Sequence, residues 1–183
     1  MSYAAPLAST TEFGVMKVGT GLTATNGTVA ATLGLLNYGF FTDGTQTNPV
    51  ASTTNLVTLT NIGPANGVSI VGGNAITVVN AGTYTLMFTV LVGKTSGGTD
   101  IVSFWLRYNG VDIPLSTQDL QLTNTLAQIF ASGNFSLDMT AGSNIQLCWS
   151  SPDTTVALTA LPARIAPIRP TGASAKITLT RIS

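Results

Sequence analysis

From Asp100 to Tyr108 the chain reads DIVSFWLRY, and its apolar positions recur at period two. Val102, Phe104, Leu106 and Tyr108 form one continuous apolar face, while Ile101, Ser103, Trp105 and Arg107 take the other. Asn109-Gly110 follows at once, a dipeptide whose two residues accept the positive φ of a tight hairpin turn. Val111-Asp112-Ile113 begins the return strand. Pro114 has no N–H to give to a ladder, so it ends that strand or confines it to an edge.

The same punctuation runs through the rest of the chain. Strands are predicted over residues 35–41, 55–59, 68–71, 75–79, 83–92, 100–108, 126–137, 144–150, 156–161 and 175–182. Between them stand turn-formers: Asp43-Gly44, Pro64-Ala65-Asn66-Gly67, Gly72-Gly73-Asn74, Ala81-Gly82, Ser96-Gly97-Gly98, Ala141-Gly142-Ser143 and Pro152-Asp153. Helices have little support, because good helix formers are scarce and Gly or β-branched residues interrupt every candidate window. The expected fold is all-β, an antiparallel sandwich of about ten strands, and that number suits a two-sheet jelly roll.

Residues 1–34 differ from the rest. They are short of aromatics and rich in Thr, Gly and Ala, with too little apolar mass to fold alone. Two short strands around Asn26-Gly27 are one reading of this N-terminal arm, and a disordered tail is another. A third makes it a stalk or docking segment that orders against a partner, with Phe13, Val15, Met16, Val18 and Leu22 as its apolar contacts. The expected division is therefore an arm over 1–34 and a jelly-roll domain over 35–183.

Charge narrows the function classes. Seven Lys and Arg balance seven Asp and Glu, and charged residues make up 8% of the chain, against about 25% in an ordinary soluble domain. A surface with so little charge does little to keep copies apart, which points to an oligomer. Zero net charge without a basic run leaves no electrostatic footprint for nucleic acid or an anionic membrane surface. The longest apolar-leaning stretch, Leu86 to Val92, is far short of the roughly 20 residues that span a bilayer, so no membrane insertion is expected. The first fourteen residues show neither a charged start nor an apolar run, so the expectation is synthesis in a cytosol without a signal peptide.

Candidate chemistry is thin. The chain has no His, which removes the commonest general base and metal ligand. Its one cysteine, Cys148, lies mid-strand beside Trp149 and reads as a small buried hydrophobe. Ser103, Ser132 and Ser150 have no base to activate them. The Gly72-Gly73 and Gly97-Gly98 pairs lack the Lys and helix of a phosphate loop. The carboxylates sit at turns, loops and strand ends, where Asp normally bonds the backbone. Asp112 with Asp119 is the one pair worth weighing as acid and base. No Asp-x-Asp run offers a calcium loop. Neither a catalytic residue, a metal site nor a cofactor is expected. Arg107 is read as solvated, stacked on Trp105, or paired with an Asp across a subunit contact. Four of the seven positive charges, Arg164, Arg169, Lys176 and Arg181, fall in the last 20 residues, beyond the last acidic residue Asp153. That end is read either as a solvated loop and strand face or as a contact for an acidic surface.

Several blocks carry a resemblance. Asn80-Ala81-Gly82-Thr83-Tyr84-Thr85-Leu86-Met87-Phe88 resembles the Gly-x-Tyr-x-apolar-x-aromatic strand of the complement globular-head and tumour necrosis factor jelly-roll superfamily. Trp105-Leu106-Arg107-Tyr108-Asn109-Gly110-Val111-Asp112-Ile113-Pro114 is similar to a segment of bacteriophage virion proteins with that fold, as are Leu147 through Thr154 and Pro162 through Pro170. The likeness runs from about Tyr38 to Ser183. Phe13 through Leu22 resembles a repeat of phage tail-fibre and appendage proteins, those of cyanobacterial phages among them.

The resemblance implies a homotrimer packed around a threefold axis. The strands over 83–92 and 126–137 are compatible, because both of their faces carry apolar residues. If one face fills the core, then Met87, Leu91 and Phe130 need cover from another chain, or from a loop of their own. Two functions follow as expectations. One is a non-enzymatic virion structural protein, a trimeric decoration (cement) or short appendage head attached through its arm to capsid, neck or tail proteins. The alternative is a fibre-tip module that binds host surface polysaccharide. Either would place the protein in the virion after synthesis in a host bacterial cytoplasm.

Overall fold

The computed structural model describes residues 36–123 and 128–183, together with the backbone of two short strands further upstream. The chain divides into two units, Met1–Leu35 and Leu36–Ser183. In the first, β1 (Leu22–Thr25) pairs antiparallel with β2 (Thr28–Ala31), in register from Leu22 opposite Ala31 to Thr25 opposite Thr28.

The second unit is built from strands alone among the described residues. In chain order it begins with β3 (Tyr38–Asp43), β4 (Gln46–Thr47), β5 (Asn55–Leu56), β6 (Asn61–Asn66), β7 (Val68–Val71) and β8 (Ala75–Val78). The long strand β9 (Gly82–Lys94) is followed by β10 (Asp100–Tyr108), β11 (Val111–Asp112), β12 (Gln118–Leu122) and β13 (Gln128–Met139). The chain ends with β14 (Asn144–Ser150), β15 (Val156–Leu158), β16 (Arg164–Ile165), β17 (Ile168–Arg169) and β18 (Ala175–Arg181).

Two antiparallel sheets result. One runs β6-β3-β18-β9, with β13 on the far edge of β9, and β15 and β4 continuing beside its C-terminal end. The other runs β7-β8-β14-β10, with β12 and β11 beside β10 and β5 beside β14. The chain passes from β9 in the first sheet to β10 in the second, back to β13, over to β14 and back to β18. That alternation is the jelly-roll form of a sandwich, and it places sequence-distant strands side by side.

Period-two alternation sets the core. Tyr84, Leu86, Phe88, Val90 and Val92 of β9, with Phe41, Ile177 and Leu179, face Val102, Phe104, Leu106, Ile145, Leu147 and Trp149 of the other sheet, and all are buried. Phe88 stands at the centre, with ring centroids 6.2 Å from Phe104 and 6.3 Å from Phe135.

The predicted strands over 68–71, 100–108 and 144–150 match at both ends, and the others match within a few residues. Four elements were not expected. β6 contains Gly63-Pro64 and overlaps the turn predicted over 64–67; as an edge strand with a register shift in its pairing it tolerates both residues. β12 (QDLQL) shows one alternating pair of leucines in a polar stretch, and its pairing with β10 makes it a strand. The segment after Leu161, read as a long loop, holds the β16–β17 hairpin. The two residues of β4 carry no periodic signal.

Candidate functional site

Alternation that buries one face of the β6-β3-β18-β9-β13 sheet leaves the other face outward. The backbone register lines up its side chains in rows. Asn134, Met87, Thr178 and Phe40 stand across β13, β9, β18 and β3. Ser132, Thr89, Lys176 and Thr42 form the next row, and Ser136, Thr85, Thr180 and Tyr38 the one on the other side. The face is a field of hydroxyl and amide groups around apolar islands. Met87 is 55% exposed, Phe130 59% and Phe40 39%. Lys176 is the charge within these rows.

Its texture has local causes. Asn134 and Met87 face each other across the ladder, so a polar side chain does not bury Met87. Phe40 lies over Gly63 of β6, where an added Cβ would come 2.8 Å from its ring. Between the islands an open depression of about 650 Å³ is lined by Phe40, Met87, Thr89, Asn134, Lys176 and Thr178, among others.

The three residues expected to need cover separate here. Met87 and Phe130 are exposed on the outward face as expected. Leu91 is not: it is 3% exposed within the single chain. It stands beside Phe130 in register, at the point where β9 passes from β18 to β15 as its neighbour. There its N–H donates to the Ser174 carbonyl at 2.8 Å and its carbonyl accepts from the Thr159 N–H at 2.8 Å. Segments of the same chain close around the position, so Leu91 belongs to the subunit's own packing. Of the proposed arm contacts, Phe13, Val15, Met16 and Val18 lie outside the described residues, and Leu22 begins β1.

The remaining candidates are held in local pairings. Asp112 accepts from Arg107 Nε at 2.7 Å, an ion pair within the β10–β11 hairpin. That bond holds the Asp112 carboxyl below the ordinary carboxylate range, which makes it a poor proton donor at neutral pH. Asp119 accepts the Ser103 hydroxyl at 2.7 Å. Arg107 is thus paired with an Asp, but within its own hairpin and not across a subunit contact. Cys148 is buried opposite Trp105, and desolvation pushes its thiol up to about 11. Trp149 is buried and Trp105 half-buried. Among the described residues no group of three or more Cys, Asp or Glu is placed to hold a metal ion, and no helix is long and apolar enough to cross a membrane.

Sequence comparison finds no match, either among protein-family models or among curated proteins. A search by structure finds likeness to the Eiger tumour necrosis factor of S. frugiperda, with a TM-score of 0.50 and 9% identity over 81% of this chain and 93% of that one. At that identity the likeness concerns the fold alone. The chain has a tumour necrosis factor-like jelly roll.

Proposed function

We propose that this protein is a non-enzymatic structural component of a virion. In this reading it is a trimeric jelly roll that decorates the particle or heads a short appendage, attached through its N-terminal segment. The observation that carries it is the outward face of the β6-β3-β18-β9-β13 sheet. A sheet face with Met87, Phe40 and Phe130 exposed among neutral hydroxyls and amides is suited to a second protein surface. Covering it removes apolar area from water and desolvates little charge besides Lys176. Copies of the same chain suit it because their net charge is zero. The virion part of the reading rests on the phage-like blocks at Trp105–Pro114, Leu147–Thr154 and Phe13–Leu22.

A glycan-binding role is the less favoured reading. Trp149 is buried and Trp105 half-buried, and the exposed rings, Phe40 and Phe130, share their face with Met87 and neutral side chains, a surface that suits a protein contact better than a sugar.

Sedimentation equilibrium of the full chain tests the oligomer: three times the chain mass is expected, and a stable monomer removes the reading. Particle incorporation tests the role. Protein lacking residues 1–30 is expected to remain trimeric and to be absent from purified particles; incorporation at the full-length level refutes attachment through the arm.

A further inference from the structure

The segment between β15 and β18 is a protruding two-faced ribbon. Leu161 and Gly172 exchange both backbone hydrogen bonds at 2.8 Å, which closes its base. Inside that closure Arg164 pairs with Arg169 and Ile165 with Ile168, around an Ala166-Pro167 turn. Strand alternation puts both arginines on one face and both isoleucines on the other.

Each face is unsatisfied in its own way. Ile165 is 92% exposed and Ile168 89%, so neither isoleucine is sheltered by the subunit. Scattered single apolar residues on a surface are ordinary, but a cross-strand pair at the tip of a hairpin is a contiguous patch. On the other face two arginines are directly opposite in the ladder, and like charges so placed disfavour the pairing. The Nε of Arg169 is buried and has no acceptor among the described residues. That atom is covered within the subunit, so an outside anion would meet the other nitrogens of the pair. The chain itself offers little: no acidic residue follows Asp153, and the ion pairs among the described residues join Lys94 to Asp100 and Arg107 to Asp112.

We infer that this hairpin is a docking tip for a segment of another protein, one that sets a carboxylate between Arg164 and Arg169 and large apolar side chains against Ile165 and Ile168. The guanidinium fork suits a carboxylate because both are planar and bond in parallel pairs. A protein cleft suits the ribbon because it can meet both faces at once. A lipid surface meets a two-residue tip from one side only. This inference does not depend on the virion reading.

The test is selection of a random twelve-residue peptide library on the immobilised full-length protein, with I165S/I168S and R169K selected in parallel. Both variants lie on an exposed hairpin, and unchanged thermal unfolding verifies their fold. R169K retains the charge but removes the planar fork that bonds a carboxylate in parallel pairs, and it serves alone if I165S/I168S is unstable. The wild type is expected to enrich peptides that combine Asp or Glu with Leu, Ile or Phe at least tenfold over each variant. Equal enrichment on wild type and variants overturns the inference. Hairpin-dependent binding to equimolar phosphatidylcholine–phosphatidylglycerol vesicles, without peptide enrichment, overturns it in favour of a membrane. A loss of oligomer mass in the hairpin variants overturns it in favour of a second copy of this chain.

Discussion

Gly133 lies directly opposite Phe88 in the β9–β13 ladder, and a Cβ at Gly133 would sit 2.5 Å from the Phe88 ring. The same added carbon would lie 3.0 Å from Phe135, whose ring stacks on Phe88 at an interplanar angle of 7°. The glycine is therefore required for space: the aromatic cluster uses the volume that any side chain would fill. Gly133→Ala is expected to destabilise the subunit by about 1–3 kcal/mol, the range for overpacking a filled core. Urea unfolding checks this, and an unchanged midpoint would mean that the cluster has room to shift.

The loop between β9 and β10 is tied by a buried ion pair. The Lys94 side chain has no exposed surface; its ammonium donates to the Asp100 carboxylate and to the Gly97 and Gly98 carbonyls, the latter at 2.9 Å. Removing only the carboxylate leaves a buried charge with weaker compensation. Asp100→Ala is accordingly expected to cost about 3 kcal/mol of subunit stability. Lys94→Met/Asp100→Ala removes both charges and is expected to be less unstable than the sum of the single changes. A double-mutant cycle by chemical unfolding measures the difference, and strict additivity would show that the two groups do not interact.

How far the sequence reveals this molecule depends on where each contact partner lies. Val102, Phe104 and Leu106 were legible as core because alternation is local and their face is apolar without interruption. Met87 and Phe130 were legible as the outward residues of strands whose other face was already filled. Leu91 shares their pattern and was expected to share their fate. Its backbone is bonded to Thr159 and Ser174, about 70 to 80 residues downstream, and a partner that distant leaves no mark in the local period. β12 was missed for a related reason: QDLQL becomes a strand through its pairing with β10. The β16–β17 hairpin was hidden by its prolines, although its charges stood out.

Cys148 provides a pH test. Burial raises its pKa from the ordinary 9.0 to about 11, because the folded protein disfavours the thiolate. Its contribution is fully present below pH 9, where both folded and unfolded thiols are protonated. As pH rises, the unfolded thiol ionises first, so stability is lost progressively through about 11. Wild-type stability measured by urea unfolding is expected to fall more steeply over that range than that of Cys148→Ala. In the folded state at pH 8 the thiol is expected to resist iodoacetamide and to react after denaturation. Rapid labelling of the native protein would contradict the burial.

Phe130 and Leu91 are paired neighbours in the same ladder, yet the outward face exposes the first and the chain itself encloses the second. Substitutions at the two positions should therefore fail in different ways. Leu91→Ala opens a hole inside one subunit and is expected to cost about 2–5 kcal/mol of subunit stability. Phe130→Asp or Met87→Asp leaves the subunit core untouched and places a charge where a neighbouring copy would have to desolvate it. Either variant is expected to keep the wild-type circular dichroism spectrum, with its sedimentation mass reduced to that of one chain. If Phe130→Asp and Met87→Asp both remain at three times the chain mass, the outward face of this sheet is not the oligomer contact. The trimer must then use a surface that leaves Met87 and Phe130 in water.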